Sequence, residues 1–132
     1  MDNFNKAISL NPEFFAAYNN RAGDRLLAGD LKGALLDYNR AVELRPDNAE
    51  LYFNRGLVKS KLKDSRGAIS DYDTAIKLDQ GYAAAYNNRA VEKEKMRDYR
   101  GALADIDMIL KLNPGDRSAL SNRKRIIKHI KK

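Results

Sequence analysis

Large and small apolar residues recur along this chain every 34 residues, with polar residues filling the gaps between them. Tyr18, Tyr52 and Tyr86 mark the period, and Ala22, Gly56 and Ala90 each follow one helical turn later. A second set opens with Ala34, Ala68 and Ala102, continues with Tyr38, Tyr72 and Ile106, and ends with Leu44, Leu78 and Leu112. Offsets of three and four residues put these side chains on one face of an α-helix. Each unit is therefore predicted to hold two helices, whose small residues let the paired backbones approach closely.

The breaks in the pattern fall where a helix pair needs them. Gly29-Asp30, Lys63-Asp64 and Arg97-Asp98 supply turn chemistry between the two helices of a unit. Pro46 and Pro114 punctuate the unit ends, with Gln80-Gly81 in that place after the second unit. Counting unit position 1 from Phe15, Ala49 and Ala83 gives three units, at 15–48, 49–82 and 83–116. Self-similarity at such a period marks a stacked array of one supersecondary element, so the expected fold is all-α, a solenoid of antiparallel helix pairs.

Both ends are ragged. Phe4, Ala7, Leu10 and Pro12 fall in phase with the second helix of a unit, so residues 1–14 are expected to be half of a repeat and the chain a piece of a longer array. Its unpaired apolar face, with Phe4, Ala7 and Ile8, is a candidate for self-association. At the other end, Leu120, Asn122 and Arg123 open one more first helix, which Ile126, Ile127 and Ile130 make amphipathic.

The residues that carry this phase resemble the tetratricopeptide repeat family. That family favours a large residue at position 4, small residues at 8, 20 and 27, an aromatic at 24 and Pro at 32; this chain adds Ala41 and Ala75 at 27 and Pro46 and Pro114 at 32. Departures are Ile109 at 27, Gln80 at 32, and the basic residues Arg25, Lys59 and Lys93 at 11, where the family has a large apolar side chain. The resemblance implies a right-handed superhelix whose first helices line a concave groove, and a non-catalytic module that scaffolds proteins by binding a peptide or partner segment there.

Carried over by position, the groove would include Asn19 and Asn20 from the first unit, and Phe53, Asn54, Leu57 and Lys61 from the second. The third would give Asn87, Asn88, Val91 and Lys95, and the last helix Asn122 and Arg125. Asn20, Asn54, Asn88 and Asn122 all stand at position 6, although Asn is a mediocre helix former. A primary amide pairs with both the N–H and the C=O of an extended main chain, so this column can form a ladder that grips a peptide without reading its sequence. The alternative is that the amides bond to neighbouring helices and tune the superhelix. Family members that clamp a chaperone's terminal carboxylate do so with residues whose places here hold Asn19, Gly23, Asn54, Ala84 and Asn88; only Asn54 fits, which argues against that clamp.

A second polar column reads as structural. Arg21, Arg55 and Arg89 at position 7 recur with Asp37, Asp71 and Asp105 at position 23, on facing helices of one unit. An ion pair between them would satisfy both charges and fix the register of the hairpin.

Charge and composition add limits. The net charge of +7 comes from residues 117–132, which hold seven Lys or Arg and no acid, leaving 18 basic against 18 acidic groups before them. This basic helix suits a polar cap on the array; the alternative is an anchor for an anionic membrane or nucleic acid. No cysteine is present, so disulfides and thiolate metal sites are excluded and the compartment stays open, with the cytoplasm favoured. A lone histidine, His129, and no Gly-rich phosphate loop give no catalytic constellation. No metal, cofactor or small-molecule substrate is expected.

Overall fold

The computed structural model describes residues 15–131, which form seven α-helices. They are α1 (Phe15–Leu27), α2 (Leu31–Leu44), α3 (Ala49–Lys61), α4 (Ser65–Leu78), α5 (Ala83–Lys95), α6 (Tyr99–Leu112) and α7 (Arg117–Lys131). Helices α1 and α2, α3 and α4, and α5 and α6 pack as pairs, and each pair leans on the next, with α7 closing the series against α6. The expected half-repeat and apolar patch at Phe4, Ala7 and Ile8 lie outside the described residues.

The same local devices end one helix and start the next in every pair. The turns place Gly29, Lys63 and Arg97 at φ of 83°, 68° and 63°. Asp30, Asp64 and Asp98 then cap α2, α4 and α6, each accepting a hydrogen bond from the N–H of Gly33, Gly67 or Gly101 at 3.0, 2.9 and 2.9 Å. A Cβ on any of those glycines would lie 2.2–2.3 Å from the capping carboxylate as it stands, so any other residue there would make the aspartate side chain turn. Asn48 and Asp116 cap α3 and α7 in the same way.

Between pairs, the phenol of Tyr52 donates to the Pro46 carbonyl at 2.9 Å, and that of Tyr86 to the Gln80 carbonyl at 3.0 Å. The tyrosine uses a main-chain acceptor, so Gln replaces Pro at this place without loss of the bond. One core spans α1 to α3 through Tyr18, Ala22, Tyr38, Ala41, Leu51 and Val58. Another spans α4 to α7 through Ile76, Tyr86, Ala90, Ile106, Ile109 and Ile126. Ile109, the large residue at position 27, is buried at 5% exposure against the last helix.

Gly56 marks a close approach between α3 and α4. A Cβ there would meet Cε1 of Tyr72 at 2.6 Å, so the ring lies directly on the α3 backbone.

Candidate functional site

Inside each helix pair lies a buried carboxylate. Asp37, Asp71 and Asp105 are each 2% exposed. The arginine one helix away meets each of them with two parallel bonds: Arg21 to Asp37 at 2.8 and 2.6 Å, Arg55 to Asp71 at 2.9 and 2.7 Å, and Arg89 to Asp105 at 3.0 and 2.5 Å. These bonds raise the pKa of all three guanidiniums against the opposing effect of burial. Each arginine also lies over the tyrosine three residues before it, with 5.9, 5.5 and 5.6 Å to the ring centroid.

Sequence reasoning took the basic residues at position 11 as departures from the pattern. They complete the cluster instead. Arg25 reaches Asp37 at 3.1 Å, Lys59 reaches Asp71 at 3.1 Å and Lys93 reaches Asp105 at 3.4 Å. Two cations thus converge on each buried aspartate, and positions 7 and 11 lie one turn apart, which was the signal available in the sequence. The arginines extend further still: Arg55 donates to Asn39 of the preceding pair at 3.2 Å, Arg89 to Asp73 at 2.8 Å, and Arg123 of α7 to Asp107 at 2.8 Å.

The face made by the first helices is where the predicted binding residues fall. In the position-6 column, Asn20 and Asn54 have no hydrogen-bond partner among the described residues, Asn20 being exposed and Asn54 half-buried. The other two are engaged. Asn88 accepts from Asn87 at 3.4 Å, and Asn122 accepts from Arg125 at 2.8 Å. Burial pushes the Tyr72 pKa up, and the nearby Glu92 carboxylate adds to the rise.

Several other groove candidates are spoken for. Phe53 packs on Tyr72 and stacks on Tyr82, with centroids 5.8 and 5.0 Å apart, and so joins the core edge. Arg125 forms a two-bond pair with Glu94 at 2.6 and 3.3 Å. Lys95 pairs with Glu92 at 3.0 Å. Lys61 and Val91 are exposed, and Asn19 and Leu57 are half-buried.

Two clefts open on this face. One, of about 270 Å³, lies between α5, α6 and α7 and is lined by Ala83, Ala84, Asn87, Ile109, Asp116 and Ser118. The other, of about 180 Å³, lies between α3 and α5 and takes in Leu57, Lys61, Asn88, Val91 and Lys95.

Models of the TPR repeat and the tetratricopeptide repeat match residues 25–63 and 49–82. The chain is a tetratricopeptide repeat protein. Among solved structures, the Arabidopsis OM64 TPR domain is similar to this TPR chain at 26% identity and TM-score 0.81, covering 87% of this chain and 95% of that one. The second TPR domain of human RPAP3, in complex with the HSP70 peptide SGPTIEEVD, matches at 26% identity and TM-score 0.76, covering 83% and 91%. The first TPR of Spaghetti (RPAP3), bound to the HSP90 peptide SRMEEVD, matches at 22% identity and TM-score 0.84, covering 89% and 94%. No curated protein matches the TPR sequence at a significant level. These likenesses fix the fold as an all-α repeat solenoid.

Proposed function

We propose that this chain is a non-catalytic interaction module that binds an extended peptide, or an extended segment of a partner protein, along the face of its first helices. The observation that carries the reading is the position-6 amide column. Asn20 and Asn54 stand on that face with donors and acceptors unused among the described residues, and a peptide main chain offers the matching set. Asn88 and Asn122 would join by exchanging the internal bonds they now accept. The two clefts beside the column supply side-chain pockets, and Leu57 and Val91 supply apolar contact.

The solved TPR domain that holds an HSP70 peptide supports peptide binding as a use of this scaffold. The ligand class differs here. With Gly23 and Ala84 at two of the places where carboxylate-clamping relatives carry polar or charged groups, an acidic chaperone tail loses its anchor.

Selection of a random peptide display library on this chain, beside an Asn20/Asn54/Asn88→Ala variant of unchanged helicity, tests the proposal. Enriched peptides that fail on the variant are the expected result. Enrichment indifferent to the asparagines would make the column structural.

A second reading rests on α7, where Lys124, Lys128 and Lys131 are exposed without an acidic partner among the described residues. Such a face attracts an anionic surface or nucleic acid in a salt-dependent manner. Replacing the three lysines with Gln keeps the buried Ala119 and Ile126 in place, and would remove binding to anionic vesicles or to nucleic acid if this reading holds.

A further inference from the structure

Position 10 of the first helices is a core place in α3 and α7, where Val58 and Ile126 are fully buried, and an exposed one in α1, where it holds Asp24. In α5 the same place holds Glu92, at 2% exposure. One carboxylate oxygen, Oε2, accepts from Ser60 Oγ at 2.9 Å and from Lys95 Nζ at 3.0 Å. The other, Oε1, is buried and has no hydrogen-bond partner among the described residues. Leaving a buried charged acceptor unmet is costly, and an aliphatic side chain at this place would avoid the cost altogether. A local choice that works against the fold in this way points to use by a ligand.

Glu92 lines the cleft of about 180 Å³ between α3 and α5, which is smaller than the roughly 300 Å³ at which small-molecule sites begin and suits one side chain of a bound segment. Oε1 requires an N–H or O–H donor. A cationic donor would meet the ammonium groups of both Lys61 and Lys95, which outnumber the single carboxylate of the lining. A carboxamide avoids this repulsion: its N–H groups donate to Oε1 while its carbonyl accepts from the Lys61 ammonium or the Asn88 amide. Leu57 and Val91 meet its methylenes.

We infer that the cleft between α3 and α5 is a specificity pocket for a carboxamide side chain, Gln or Asn, of the bound peptide, with Glu92 Oε1 as the acceptor that reads it. The inference rests on the groove reading above. It is tested by running the same random peptide library on the wild-type chain, on Glu92→Val, which copies Val58, and on the near-isosteric Glu92→Gln.

Wild-type selections should share Gln or Asn at one register. That preference should turn apolar on Glu92→Val and weaken about fivefold or more on Glu92→Gln, while Glu92→Val melts at or above the wild-type temperature. Enriched peptides with no Gln or Asn bias, with Lys or Arg at that register, or with the same profile on all three proteins would overturn the pocket and leave the groove standing. Absence of any enriched peptide would overturn the groove, and the pocket with it. Should Glu92→Val melt lower, the Glu92→Gln profile decides: an unchanged Gln or Asn preference there overturns the inference.

Discussion

The interior of each helix pair and the face of the first helices obey different rules. Inside the pairs, the same tyrosine, arginine, aspartate and second cation recur three times with bonds that agree within a few tenths of an ångström. Across the first-helix face the position-6 asparagines repeat, but the side chains beside them change from unit to unit: position 9 runs Gly23, Leu57, Val91, Arg125, and position 10 runs Asp24, Val58, Glu92, Ile126. Repetition follows from each hairpin having to solve the same packing problem. Variation along a shared face gives each unit a different pocket, which is what an extended ligand with differing side chains requires.

Removing one carboxylate from the repeated interior breaks the contrast most severely. Asp71→Ala leaves Arg55 and Lys59 facing each other without their counter-ion, and is expected to cost about 3 kcal/mol in denaturant unfolding. An unchanged midpoint would show the cluster to be energetically idle. Gly56→Ala comes next, since its methyl must displace the Tyr72 ring, and a loss of about 2 kcal/mol should appear in the same assay.

Lys63→Gly works in the opposite direction. It relieves a left-handed backbone at φ 68° and should stabilise by up to about 1 kcal/mol, seen as a raised melting temperature. The smallest effect sharpens the comparison from the other face. Asn54→Ala, which removes no bond made within the described residues, should change stability by less than about 0.5 kcal/mol while weakening capture of any selected peptide. A large loss of stability would make the Asn54 column structural and take it out of the ligand's reach.

Much of the fold was legible because it is written three times. Tyr18, Tyr52 and Tyr86 gave the phase, and the turn aspartates Asp30, Asp64 and Asp98 marked where second helices begin. The Arg-to-Asp pairs were legible too, because both columns recur at fixed unit positions. The role of Arg25, Lys59 and Lys93 was not legible, because they depart from the family's apolar pattern and only the distance across the pair reveals the aspartate each serves. Glu92 escaped notice for the converse reason. Its column holds an exposed Asp24 in α1, and a Glu in a charged helix looks solvated until the structure buries it beside the places of Val58 and Ile126. The same holds for Phe53, whose stack on Tyr82 depends on the latter occupying the cap place that Asn48 and Asp116 fill elsewhere.

The arginines that bridge successive pairs also bear on how the array comes apart. Arg55 and Arg89 each belong to two hairpins at once, so opening one hairpin strips a partner from its neighbour and unfolding propagates along the chain. The links are unequal: Arg89 meets a carboxylate on Asp73, whereas Arg55 meets only the amide of Asn39. Amide hydrogen exchange should therefore release α1 and α2 ahead of the rest, with α3 to α6 opening together as one cooperative block.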